Sequence, residues 1–233
     1  MSGLCRLLLL AYNPQDSSFK KNCSIMDIMD LLQGQISEGV LDQLTQQIGA
    51  SDKKQTAAAT AGIMNTLVGA LAKNASKPEG AAALNNALER DHDGSVLNDL
   101  MGIFSNQTTQ IEQQNPRAVN GTGILKHILG DRQGNAIDMV SKLSGLDSGK
   151  TGNLMTMLAP MLMGALGQTK RQQGLDVGGL ANLLTGTVTQ QKQQNPTMGL
   201  VTQFLDSDGD GSIVDDVANI GMKMLGGLFG RKK

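Results

Sequence analysis

Aromatic side chains are nearly missing from this sequence: its 233 residues include no tryptophan, one tyrosine and four phenylalanines. Apolar residues nevertheless make up 39% of the chain, which is enough to build a core. That core must therefore consist of Leu, Met, Ala, Ile and Val, and the 13 methionines favour an adaptable packing. A composition rich in Ala, Leu, Met and Gln favours helices over strands.

Cysteine is also scarce, because Cys5 and Cys23 are the only two in the chain. From residue 26 onward there is neither a disulfide framework nor a thiolate metal site. The early apolar run LLLLA at residues 7–11 is too short to cross a bilayer, and it lacks the flanks of a signal peptide. We therefore expect a cytoplasmic protein. Residues 1–25 match nothing downstream, so we expect them to be a disordered or untranslated extension, with translation starting at Met26.

An excess of positive charge is absent as well. The chain has 20 Lys and Arg against 21 Asp and Glu, for a net charge of −1. This balance gives no electrostatic footprint for nucleic acid. His92 and His127 each stand alone in the sequence, without a neighbouring Cys, second His or positioned Ser, so neither a zinc site nor a catalytic triad is indicated. We expect a protein that is not an enzyme.

What the sequence does contain is the acidic stretch DSDGDGSIVDDV at residues 206–217. Its carboxylates at positions 1, 3 and 5, its Gly at 6 and its Ser at 7 match a calcium loop of the EF-hand type. Position 12 is Val217 in place of the usual Glu, so an acid at position 10 or 11 would have to complete the shell. The candidate calcium ligands are Asp206, Asp208, Asp210, Ser212, Asp215 and Asp216.

The same stretch also fits a plain turn that caps a helix. Ser212 is a good N-cap residue, and Asp215 would lie at N3, where a carboxylate favours the helix dipole. An upstream echo, ERDHDGSVLNDL at residues 89–100, has Glu89 at position 1 and His92 at position 4 and makes a poorer cage. There we expect only a cap, formed by Ser95 with Asn98 at N3.

A second tempting motif is GLDSGKT at residues 145–151, which resembles a phosphate-binding P-loop. It has three residues between the first Gly and the Gly-Lys pair where the pattern needs four, and no strand precedes it. We interpret it as a helix start.

The chain also resembles itself. Residues 44–71 align without gaps on residues 139–166. The two acidic loops also align with each other, but in the second copy 22 additional residues separate the loop from the aligned helix. Residues 53–73 are predicted to form an Ala-rich helix, and residues 154–166, apolar nearly all round, a buried central helix around Pro160. The sequence therefore predicts two degenerate repeats of a multi-helix unit.

Four segments resemble a known family: MDIMDLLQGQ at 26–35, LAKNASKPEGAAAL at 71–84, DHDGS at 91–95 and GILKHILG at 123–130. They are similar to the bacterial domain of unknown function 937, the YidB-like family, over residues 26 to about 167. The resemblance implies an all-helical, cytosolic bacterial protein and brings no activity or catalytic residues with it.

Together these features predict an all-α, multi-helical array in four parts. Residues 1–25 form the extension, 26–105 the first helical repeat, 106–122 a Gln-rich linker, and 123–233 the second repeat with the acidic loop. We expect a protein partner or self-association, no nucleic acid, and calcium as the one candidate cofactor. The tail at 220–233 is predicted to be an amphipathic helix, not a membrane-surface anchor. The alternative is a metal-free helical scaffold or oligomeric structural protein.

Overall fold

The structure is a computed structural model that describes residues 36–99, 113–194 and 196–206. Within these ranges every regular element is a helix, which confirms the predicted all-α, multi-helical fold. Two 3-10 turns, Ser95–Asp99 and Gly130–Arg132, accompany the α-helices. The α-helices are α1 Glu38–Gln47, α2 Lys53–Ala75, α3 Pro78–Arg90, α4 Pro116–Val119, α5 Gly121–Leu129, α6 Gln133–Ser144, α7 Ser148–Gln173, α8 Val177–Gln194 and α9 Pro196–Asp206.

The two longest of these helices, α2 and α7, begin in the same way. Asp52 caps α2 by accepting from the Lys54 amide at 2.8 Å, and Asp147 caps α7 by accepting from the Gly149 amide at 2.9 Å. Such caps satisfy amides that have no partner within the helix. The P-loop-like stretch is thus a helix start, as predicted. The two caps are 95 residues apart, the offset of the sequence alignment, while the tandem repeat itself and the four-part division stay predictions.

Helix α2 lies at the centre of the packing. It contacts α1, α3, α5, α6, α7, α8 and α9, and residues 62–71 are all buried. Residues 158–167 of α7 are also all buried, as the apolar sequence predicts. Buried side chains from both predicted repeats join one core of Leu, Met, Ala, Ile and Val, to which Phe204 adds the one Phe, Tyr or Trp ring of the described ranges. None of the helices in these ranges combines the length and apolar character that crossing a membrane demands.

Helix α7 continues through Pro160. Proline has no amide hydrogen, so the carbonyl of Thr156, four residues earlier, loses its usual donor. Gly121, the first residue of α5, packs against that carbonyl, where a Cβ atom would lie 1.9 Å from the Thr156 oxygen. Only a residue without a side chain fits this contact, which fixes where α5 meets α7.

Candidate functional site: the end of α9 and a cationic cavity

The first residue of the predicted calcium loop lies in α9. Asp206, the first candidate ligand, is the last residue of the helix. The carbonyl oxygen of Leu205, one residue earlier, accepts hydrogen bonds from Arg132 Nη1 at 2.7 Å and from Lys73 Nζ. Two cations at a helix C-terminus favour the negative end of its dipole. The other candidate ligands lie outside the described residues: Asp208, Asp210, Ser212, Asp215 and Asp216. The predicted tail helix at 220–233 lies outside them too.

The upstream echo of the loop does not gather its carboxylates around a common point. Glu89 accepts from Lys170 Nζ of α7 at 2.7 Å, and this hydrogen bond lowers the pKa of its carboxyl. Asp91 instead faces Arg90, with 3.3 Å between its Oδ2 and the guanidinium. No group of three or more His, Cys, Asp or Glu side chains suited to a metal occurs anywhere in the described part of the chain.

The third carboxylate of that echo, Asp93, closes a turn. Its Oδ1 accepts from the Ser95 amide at 2.9 Å, and hydrogen bonds from Ser95 lower the pKa of this carboxyl. Gly94 between them has a φ of +91°, which only glycine adopts without strain. The observed cap is therefore the side chain of Asp93. The segment turns the chain as expected, but its capping side chain is that of Asp93, two residues before the predicted Ser95.

A cavity of about 980 Å³ lies between the end of α2, α3, α5 and the residues that follow α3. Five cationic side chains line it, together with His92, His127 and a single carboxylate, Asp91. Leu205 lines it as well, so the cavity reaches the end of α9. The five cations are Lys73, Lys77, Arg90, Arg117 and Arg132.

His92 is the most enclosed polar residue of this wall, with 5% of its surface exposed. Its Nδ1 is buried and has no hydrogen-bond partner among the described residues. Burial lowers the pKa of His92 and outweighs the opposite effect of Asp91 and Asp93. The backbone carbonyl of His92 packs against α7 at Gly167. This contact is possible because glycine has no side chain there.

The burial of His92 predicts a pH dependence of stability. Because its pKa is lowered in the folded protein, the unfolded chain takes up a proton first as the pH falls below about 6.5. The free energy of unfolding therefore decreases as the pH falls toward the pKa of His92 in the folded state. The total loss is about 1.4 kcal/mol for each pH unit by which folding lowers that pKa. Urea unfolding of His92→Gln between pH 7 and pH 5 should show a shallower loss than the wild type.

Gly186→Ala, an exposed change in α8 without a titratable group, controls for general effects of mutation and should keep the wild-type slope. An unchanged slope in His92→Gln would show that another group carries the pH dependence.

Sequence reasoning missed this cavity because its cations are far apart in the chain. They come from α2, from the turn before α3, from the end of α3, from α4 and from the 3-10 turn after α5, and no local spacing joins them. His92 and His127 stand alone in the sequence, yet the fold places both on one cavity wall. The described lining contains no Ser, Thr or Cys side chain, so the arrangement is suited to binding an anion and offers no hydroxyl or thiol nucleophile.

Comparison with known proteins gives one finding. The sequence profile of a bacterial protein family of unknown function, DUF937, matches residues 30–169, which is more than half of the chain. The match spans α1 to most of α7 and ends before α8, α9 and the acidic loop. No curated protein and no solved structure matches the chain. On the strength of the profile, the protein belongs to the bacterial DUF937 family, as its sequence segments predicted.

Proposed function

We propose that this chain is a non-enzymatic, cytoplasmic helical protein in which the loop after α9 binds calcium. The ligands are the carboxylates of Asp206, Asp208 and Asp210 and the carbonyl of Ser212. Asp215 or Asp216, with water, completes the shell in place of the missing acid at position 12.

The observation that supports this proposal is the helical conformation of α9 as far as Asp206, the last described residue. In an EF-hand the incoming helix leads directly into the calcium loop, whose first ligand is at position 1. Helix α9 directly precedes the acidic stretch in the sequence, and it is buried against α2 through Val201 and Leu205. The first ligand is thus presented from a packed helix.

The two cations on the Leu205 carbonyl set an upper limit on affinity. Lys73 and Arg132 bind the carbonyl of Leu205, the residue before the first proposed ligand. Their positive charges oppose the approach of a divalent cation. The loop also lacks the bidentate Glu of high-affinity sites. We therefore expect a dissociation constant in the range of about 10⁻⁴ to 10⁻³ M, as in extracellular calcium modules.

The test is a thermal melt of the full chain in EDTA and in 10 mM calcium. A ligand at about ten times its dissociation constant adds about 1.4 kcal/mol. For a chain of this size the melting temperature should then rise by about 3–5 °C. Asp208→Asn/Asp210→Asn should lose the rise. The matched control, Asp131→Asn/Asp138→Asn, removes the same charge from exposed positions and should keep it.

A second candidate function is the metal-free helical scaffold, in which the acidic stretch only turns the chain. The upstream loop favours it, because Glu89, Asp91 and Asp93 there each have a separate partner and do not converge. If calcium left the melting curve of the wild type unchanged, as it should that of the double variant, the calcium proposal would be wrong. The metal-free scaffold would then be the better account.

We extend the proposal to partners. A protein partner or a second copy of the chain fits a family without an assigned activity. Nucleic acid does not fit, since the net charge of −1 gives no electrostatic footprint for it and the described cavity lining has no Phe, Tyr or Trp ring on which a base could stack.

A further inference from the structure

The cavity beside α9 concentrates positive charge in a chain that has almost no net charge. Its five cations and one carboxylate give the described lining a formal charge of +4 with neutral histidines, against −1 for the whole protein. Concave surfaces lined by one sign of charge focus the field and attract the opposite sign. The cavity therefore selects an anionic occupant.

The five cations lie in two groups, one toward each end of α3. The first group, called here the Lys77 end, stands beside the last described turn of α9. Its other two members both donate to the Leu205 carbonyl, and Lys77 itself follows α2 as the N-cap residue of α3. The members of the Lys77 end are Lys73, Lys77 and Arg132.

The second group, called here the Arg117 end, consists of Arg90 and Arg117. Arg90 is the last residue of α3 and faces Asp91 at 3.3 Å. Asn115, two residues before Arg117, donates to the Asp91 carbonyl at 3.1 Å and so brings α4 to this place. The 13 residues of α3 rise about 20 Å, so a single head group does not reach both ends.

The wall between the two ends is apolar. Leu84 lies in the middle of α3 and is buried, and four further apolar side chains of the lining are buried as well. They are Leu71 of α2, Ile124 and Ile128 of α5, and Met163 of α7. Along α3 the cavity thus offers positive charge, then an apolar surface, then positive charge again.

The acidic segment of this chain has the complementary pattern. Residues 206–217 contain five carboxylates and no cation. Three of the carboxylates come first, at Asp206, Asp208 and Asp210, and two come last, at Asp215 and Asp216. The apolar residues Ile213 and Val214 stand between the two groups.

The place where α9 leads into this segment also fits. Leu205 lines the cavity at the Lys77 end, so the segment starts beside the group that would meet its first carboxylates. The ten residues from Asp206 to Asp216 span up to about 33 Å when extended, which exceeds the length of α3. A segment tethered this closely acts at a millimolar effective concentration, so weak contacts are enough to hold it.

From these observations we propose that residues 207–217 dock along the cavity of their own chain. Asp208 and Asp210 pair with the Lys77 end, Asp215 and Asp216 pair with the Arg117 end, and Ile213 and Val214 cover the apolar wall. This docking does not rest on calcium binding, but it uses the same carboxylates. Calcium and the cavity would therefore compete for the segment.

The test is carbodiimide cross-linking of the full chain in EDTA and low salt, read by mass spectrometry. The reagent joins a lysine amine to a carboxylate that touches it and takes up the water released. The wild type should link Lys77 to Asp208 or Asp210. The conservative variant Arg117→Lys keeps the charge and adds an amine at the far end, which should link to Asp215 or Asp216.

Lys126 is the matched control amine. It is exposed on α5 next to His127, a lining residue, yet it lies outside the lining. A segment that merely moves about near α9 would reach Lys126 as readily as Lys77. Docking predicts a yield at Lys77 at least tenfold higher than at Lys126.

A mixture of ¹⁵N-labelled and unlabelled chains tells the chain's own segment from that of a second copy. Docking within one chain predicts links between peptides of the same label. Links that join labelled to unlabelled peptides in the proportion of the mixture would assign the segment to a second copy and overturn the proposal.

Three further results would overturn it. These are no link to either cavity amine, equal yields at Lys77 and Lys126, and links only to the lysines of the segment's own tail, Lys223, Lys232 and Lys233. Because the reaction runs in EDTA, its outcome is independent of the calcium proposal, which the melts in calcium test separately.

Discussion

Replacing Gly167 by alanine is expected to lower the free energy of unfolding by about 3 kcal/mol, at the upper end of the cost of overpacking. A Cβ atom at this position of α7 would lie 1.7 Å from the His92 carbonyl oxygen and 2.9 Å from its carbon. The obstacle is backbone, so no side-chain rotation relieves it. Gly94, two residues further on, is also packed against α7, since a Cβ there would lie 2.9 Å from Gln168. Urea unfolding followed by circular dichroism measures the loss.

The matched control is Gly186→Ala in α8. Gly186 is exposed within the helix, and a Cβ there meets nothing within 4 Å. Alanine should stabilise the protein at this position by about 0.5–1 kcal/mol, because glycine is the poorer helix former. If both variants unfolded at the same urea concentration, the close contact between α7 and the His92 segment would be refuted.

Truncating Leu67 to alanine should cost about 3 kcal/mol, within the range of 2–5 kcal/mol for buried leucines. Leu67 is 0% exposed and lies in the middle of α2, the helix that contacts seven others in the described ranges. A cavity at the centre of several packed helices cannot close without moving all of them. The unfolding midpoint in urea should fall with an unchanged slope.

Leu143→Ala removes the same atoms from α6, where the side chain is 41% exposed. Its cost should stay below about 1 kcal/mol, because little apolar area returns to water. Equal losses in the two variants would mean that α2 is not the centre of the core.

The fold class could be predicted because its signals are local. The acidic residue before each long helix, Asp52 and Asp147, marks the helix start, and the unbroken apolar run in α7 marks burial. Pro160 is an exception to these local signals, because proline is disfavoured inside a helix. It is accommodated because Gly121 of α5 packs against the freed carbonyl, a tertiary contact that no local pattern shows.

The cavity could not be predicted because it is made only by folding. Lys77 and Arg117 are 40 positions apart in the sequence, yet both line the cavity, whose walls come from helices distant in the chain. Overall charge was a poor guide: a net charge of −1 hides a local concentration of cations when the acids lie elsewhere. The calcium loop is the reverse case, since its whole signal is local spacing.

The two candidate sites meet at Leu205. Its carbonyl accepts from Lys73 and Arg132, the residue lines the cavity, and the next residue is the first of the proposed calcium ligands.

The most direct measurement is calorimetric titration of calcium into the full chain after removal of metal with EDTA and dialysis. Calcium binding by the loop predicts a single saturable site in the wild type, and Asp208→Asn/Asp210→Asn should weaken it at least tenfold. Magnesium should bind more weakly, because a loop of alternating carboxylates and carbonyls suits the larger ion. A flat titration of the wild type, or equal binding by the double variant, would contradict the proposal and leave a helical protein whose acidic segment only turns the chain.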